Sequence, residues 1–260
     1  MTTHSPHERK QGHRWCVSLL AVVTLLISFT ASSHVVLEPE IARMSLAEIL
    51  RYDRASREGE DSGAKAEALF RLGESVQNLV DMMNQDYAAH ADNAGVSRVI
   101  VKRLEMLSVS VAFVETTKRY TYDLAAFRDY LKQVPRGKHA PEARFQFIAQ
   151  RFHDTQGADH MKLRNTDVDG LAGAIAEEEK FLKDYPQNAR TREVRFFLGV
   201  DYFRLSQNIG DTGKAAKYKA LATRTLERVE SLYPDTFEAR GASMLLERLQ
   251  QRGGRLKPLM

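Results

Sequence analysis

The chain has 260 residues, 43% of them hydrophobic and 28% charged, which suits one or two domains with a sizeable core. Fifteen glycines and seven prolines are too few for a many-turned β fold, so helices are favoured. Of the formal net charge of +4, the first 33 residues carry +2 (Arg9, Lys10 and Arg14 against Glu8), and the rest shows no basic patch interleaved with aromatics, so nothing supports nucleic-acid binding.

Residues 1–14 are polar and basic, 16–31 are apolar without a charge, and Ala31-Ser32-Ser33 offers small side chains where a signal peptidase acts. This three-part pattern predicts that residues 1–33 are a secretory signal, cleaved after Ser33. The alternative is an uncleaved membrane anchor, because sixteen apolar residues fall short of the ~20 usually needed but reach across a thin bilayer. Cys16, the only cysteine, opens the apolar run instead of following it, so a lipidated N-terminus is not expected. Without Cys16 the remaining chain has no thiol for a disulfide, a metal or nucleophilic attack.

In residues 34–62, Ile41, Met44, Leu46, Ile49 and Leu50 at helical spacing predict a short helix, and the polar run 57–63 a linker. Over 64–89, Ala68, Leu72, Val76, Leu79, Val80, Met83 and Tyr87 form the stripe of a helix with one buried face. Residues 96–114 are rich in β-branched side chains, which would suit strands, but Val96, Ile100, Leu104, Leu107, Val111 and Val114 step by three and four and predict a helix. It either runs on through Tyr120 to Leu131 or breaks at Thr121-Tyr122-Asp123.

Four helix starts then copy one another: Glu67-Ala-Leu-Phe-Arg-Leu-Gly73, Glu142-Ala-Arg-Phe-Gln-Phe-Ile148, Glu193-Val-Arg-Phe-Phe-Leu-Gly199 and Glu238-Ala-Arg-Gly-Ala-Ser-Met244. Three of them follow a helix end marked by Pro135, Pro186 or Pro234. Proline cannot continue the helix it follows, and an acidic residue in the next first turn suits that helix's dipole. The glutamate falls seven residues after the first two prolines and four after the third. Internal repetition on this scale predicts a solenoid.

The copies resemble the tetratricopeptide repeat. Leu198, Gly199 and Tyr202 match the first-helix Leu-Gly-x-x-Tyr, and Ala222, Leu226, Val229 and Pro234 match the second helix, with extra residues between the halves. Leu72-Gly73 matches again, with Val76 in place of the tyrosine. Ala174, Phe181 and Pro186 match less well, with Glu178 where a large apolar residue belongs. Together with the leader, the pattern is most similar to the BamD-like envelope repeat proteins. The resemblance covers about 64–251 and implies an all-α, right-handed solenoid of stacked hairpins that binds other envelope proteins in outer-membrane protein assembly. Those relatives are lipoproteins, and this chain lacks their lipidated cysteine.

Candidate chemistry is sparse. Asn165-Thr-Asp167-Val-Asp169-Gly170 has the outline of a calcium loop, but the twelfth position, where a bidentate acid is required, is Ala176, with Glu177 one place late; Asp169 is better read as the cap of a helix starting near Leu171. His153, Asp154, Asp159 and His160 crowd one loop without the spacing of a metal motif. Gly210-Asp-Thr-Gly213-Lys214 is a helix-to-helix turn, not a phosphate loop. Glu177-Glu178-Glu179 reads as a solvated helix face, and no catalytic motif is present.

The expected division is a leader at 1–33, a helix and linker at 34–62, a repeat domain at 63–252 and a tail at 253–260. No enzyme activity, metal or cofactor is expected. The family alignment places Phe145 and Phe196 at one groove-facing position, with Phe152 and Phe203 two turns on. Two readings stand: all four pack between layers, or they anchor a partner's extended or helical segment inside a rim of Arg144, Arg192, Arg195 and Lys183. The expected location is the periplasm, free or held at the inner membrane. One rival is a subunit that stacks on a larger complex through exposed Leu245, Leu246 and Leu249. The other is an enzyme gathering His153, His160 and Asp167 in a pocket.

Overall fold

The computed structural model describes residues 37–90, 95–154 and 168–251. Among these residues, nine helices and one two-stranded hairpin follow in the order α1 (Pro39–Glu58), α2 (Ser62–Ala89), α3 (Gly95–Met106), β1 (Val111–Val114), β2 (Arg119–Tyr122), α4 (Ala125–Gln133), α5 (Ala140–Asp154), α6 (Val168–Asp184), α7 (Thr191–Asn208), α8 (Thr212–Leu232) and α9 (Phe237–Gln251). The chain is mostly helical, as its composition predicts.

Pro39 at the first turn, Glu40 beside it and Arg57 in the last turn set the ends of α1. Three residues later Asp61 caps α2 by accepting the Ala64 N–H at 2.7 Å. The two helices pack against each other, and Ile49 of α1 shares one core with the stripe Val76, Leu79, Val80 and Met83 of α2. Buried Asp86, near the end of α2, accepts the Leu37 N–H at 3.2 Å and fixes the chain entering α1.

The helix expected over 96–114 ends at Met106, and its C-terminal part is instead the antiparallel pair β1–β2, with Val111 opposite Tyr122 and Val114 opposite Arg119. Three features overrule the three-and-four step. Ser108, Lys118 and Leu124 all have positive φ, so no helix passes through them. Asn84 of α2 gives its side-chain amide to both backbone groups of Tyr120, donating to its carbonyl at 3.0 Å and accepting its N–H at 2.7 Å. Tyr87, Phe113 and Tyr120 then cluster, with Phe113 5.0 Å from Tyr87 and 4.9 Å from Tyr120. Strand propensity was the better guide here, because aromatic and β-branched side chains on the paired strands cover the flank of α2.

The ends of α4, α6 and α8 are built alike. Val134, Tyr185 and Tyr233 donate their N–H groups to the carbonyls of Tyr130, Phe181 and Val229 at 2.9, 2.9 and 3.0 Å. Three residues on, Gly137, Asn188 and Thr236 donate back to Val134, Tyr185 and Tyr233. The chain thus turns after each proline into α5, α7 and α9 by one local hydrogen-bond pattern. Helix α7 packs on α6 and α8 and also on α5 and α9. Gly199 of α7 permits the closest of these approaches: a Cβ there would lie 2.7 Å from Leu226 Cδ2 of α8. Leu198 beside it is buried, as its place before the glycine predicts.

Apolar side chains gather in two groups. The first joins α1–α4 and the hairpin to Ala140 and Ala143 of α5; the second joins Phe145, Ile148 and Phe152 of α5 to α6–α9. The leader at 1–33 and the tail at 253–260 lie outside the described residues, as do Asp159, His160, Asn165 and Asp167. Residues from Val168 onward are helical, so Ala176 belongs to α6 and the twelve-residue calcium loop cannot form; Asp169 sits inside the first turn of α6, not ahead of it.

Candidate interaction groove

The four copied glutamates do one structural job. Glu142 accepts both Nε and Nη2 of Arg190, at 3.0 and 2.9 Å, and Glu193 accepts Nη1 at 3.1 Å. The same guanidinium lies 4.6 Å from the ring centre of Phe145. One copy earlier His139 takes the place of Arg190: its ring stacks on Phe70 at 3.9 Å and its Nε2 is 3.0 Å from Glu67 Oε2. His139 and Arg190 both stand four residues after the proline of their turn. After Pro234 that position is Glu238 itself, because the turn is shorter, and Glu238 pairs instead with Arg192 at 3.1 Å.

This geometry assigns the aromatic residues. Phe145 and Phe152 are 5% and 4% exposed, so they are core residues, not exposed anchors. Phe152 stacks on Phe197 at 3.9 Å. Phe196 is half-buried against α9, where a Cβ on Gly241, the residue at the matching position of the fourth copy, would lie 2.8 Å from its Cζ. Phe203 is half-buried against the second apolar group. The expected basic rim does not assemble either. Arg192 is held by Glu238, Arg195 donates to the Tyr233 hydroxyl at 3.1 Å, Arg144 reaches toward the Pro135 carbonyl, and Lys183 is exposed on α6.

A groove of about 330 Å³ does exist, and it is polar. Its walls come from α2, β2, α5 and α7, elements brought together by the Asn84–Tyr120 bonds on one side and the Glu142–Arg190 pair on the other. Glu74, Asp81, Glu142, Asp154 and Glu193 face Arg119 and Arg190, with Gln77, Asn78, Gln146 and Gln150 between them. Arg190 is already spent on Glu142 and Glu193. Burial pushes the Asp81 carboxyl up from its ordinary value, against the hydrogen bond from Gln77 and the pull of Arg119. The lining is thus acidic and rich in hydrogen-bonding groups, in a chain whose net charge is positive. No family model matches this chain, and no curated protein sequence does. What the groove can bind has to be read from its own side chains: it offers carboxylates and amides to a polar or cationic segment, and Val80, Tyr120, Tyr122, Phe145, Ala149 and Phe197 to an apolar one.

In α6, Glu177 and Glu179 are exposed, as expected of a solvated face, but Glu178 between them is not. Glu178 is 2% exposed, at the position where the repeat it resembles has a large apolar residue, and its Oε2 has no hydrogen-bond partner among the described residues. Burial, and after it the charge of Asp201, pushes the Glu178 carboxyl far up. Asp201, also buried, pairs with Arg204 at 2.8 Å. Glu177 pairs with Arg151 at 2.9 Å, and Glu179 accepts the Tyr202 hydroxyl. A buried carboxyl pair was missed in the sequence because its members stand 23 residues apart on different helices. The departure at Glu178 was its one visible sign.

Among the described residues no three histidine, cysteine, aspartate or glutamate side chains are grouped to hold a metal ion. Leu245, Leu246 and Leu249 face inward and are buried, so the last helix offers no apolar patch at those three positions.

Proposed function

We propose that this chain is an exported scaffold of the cell envelope, a right-handed tetratricopeptide-like solenoid that holds a polar, cationic segment of a partner protein in the groove along α2, α5 and α7. The acidic lining of that groove carries the reading: carboxylates of Asp81 and Asp154 with neighbouring amides, flanked by Glu74 in its pair with Arg71, suit lysine- or arginine-bearing backbone in extended form. The recurring turns, the matched Phe70–His139 and Phe145–Arg190 stacks and the glycine contact at Gly199 support the repeat assignment. The basic start and the apolar run 16–31 support export, with the chain either released or held at the inner membrane. Outer-membrane protein assembly is the role that the family resemblance suggests. No catalysis or cofactor belongs to this reading.

Site-specific photo-cross-linking in an envelope preparation tests it. A photoreactive residue at Asn78 should give a discrete adduct that Glu74→Lys with Asp81→Lys abolishes, while the same residue at Arg240 of α9 gives none. Equal labelling from both positions, or an adduct indifferent to the charge reversals, would overturn the groove as the binding site.

A further inference from the structure

A second groove, of about 640 Å³, lies between α1 and α3, and its lining is apolar except for Arg43 and Arg103. Pro39, Ala42, Leu46, Ala47 and Leu50 form its wall on α1, at the spacing of one helical stripe; Val96, Val99, Ile100 and Met106 form the wall on α3. Leu50, Val99 and Met106 are exposed at 43%, 58% and 76%. Neither helix is long and apolar enough to cross a membrane.

Charge and reach point to the occupant. Helix α3 carries Arg98, Lys102 and Arg103 against Glu105, and none of the three cations has an ion pair among the described residues. On α1 the acids Glu40 and Glu48 are neutralised by Arg43 and Arg51. The uncharged run 16–31 ends six residues before Leu37 and eight before Pro39, and eight residues span at most ~29 Å. Wherever that run enters a bilayer, the groove at Pro39 is within that distance of the lipid surface. A soluble partner has no such tether bringing it to this face.

We infer that the α1–α3 face is a membrane-contact surface, in which Val99, Met106 and Leu50 enter the boundary between headgroups and acyl chains while Arg98, Lys102 and Arg103 meet anionic lipid headgroups. The surface lies in the plane of the membrane, and it shares no residue with the acidic groove. It does not depend on which partner that groove takes.

The full chain, with Cys16→Ser and a single cysteine from Val99→Cys, Met106→Cys or Met244→Cys, is labelled with an environment-sensitive fluorophore. It is then read in buffer with detergent below vesicle-forming levels, and on vesicles of neutral or partly anionic phospholipid. The labels at 99 and 106 should shift to the blue and be quenched by lipid-borne nitroxide on anionic vesicles, with the label at 244 unchanged. Arg98→Glu with Lys102→Glu should abolish the shift. No shift on vesicles, or an equal shift at 244, would overturn the inference. A shift already present without vesicles would overturn it too, assigning the groove to the apolar run or to a second copy of the chain. An equal shift on neutral vesicles would overturn the assignment to anionic headgroups.

Discussion

Arg190 lies over the ring of Phe145 at 4.6 Å and holds Glu142 in the same grip, as His139 does with Phe70 and Glu67 one copy earlier. The side chain four residues after the proline thus closes on the aromatic residue and the glutamate of the first helix one copy earlier. Arg190→Ala should lower the unfolding free energy by about 1 to 2 kcal/mol, a modest figure because the side chain is 37% exposed. Arg190→Lys should recover only part of it, since an ammonium cannot serve two carboxylates and a ring together. Urea titrations of the three proteins check this.

Phe145 contributes to folding first. Phe145→Ala should cost about 3 to 5 kcal/mol, as for other buried aromatic residues. Phe196→Ala, at the half-buried equivalent position on α7, should cost less. Circular dichroism during thermal unfolding decides, and equal small losses would restore both as surface anchors.

Glu178 gives the fold a pH dependence. Its carboxyl titrates well above the ordinary glutamate value near 4.5, so above that pH the folded chain keeps a proton that the unfolded chain has released. This contribution to stability is complete below about 4.5 and is lost as pH rises toward the folded value. It falls by about 1.4 kcal/mol for each unit of the shift. Glu178→Gln should therefore match the parent near pH 4 and exceed it increasingly toward pH 8, measured as denaturation midpoints across that range.

Two glycines should respond in opposite directions. Gly199→Ala places a methyl 2.7 Å from Leu226 and should cost about 1 to 3 kcal/mol through overpacking. Gly173→Ala on α6 meets nothing within 4 Å and should add about 0.5 to 1 kcal/mol through helix propensity alone. Melting temperatures of the two variants, taken together, test the register of the helix pairs.

Helices, turn positions and the buried stripe of α2 were legible because each follows from spacing along one element. The hairpin β1–β2 was not, since Val111 and Val114 satisfy a helical step as well as a strand, and the deciding contacts come from Asn84 and Tyr87 on another helix. Phe145 and Phe196 could be aligned from the sequence, but their partners could not. Arg190 and Gly241 lie in the next copy, and nothing in the spacing says that Phe145 takes a cation while Phe196 takes the space left by a missing side chain. The acidic groove escaped notice for a related reason: Asp81, Arg119 and Glu193 belong to three separate elements.

Helix α5 has a place in both apolar groups, through Ala140 and Ala143 on one side and Phe145, Ile148 and Phe152 on the other. The walls of the groove are divided between the two groups: Asp81 and Arg119 belong to elements of the first, Glu193 and Phe197 to an element of the second. A repacking of either core therefore reaches one wall of the groove, and α5 is the element through which both cores set its width.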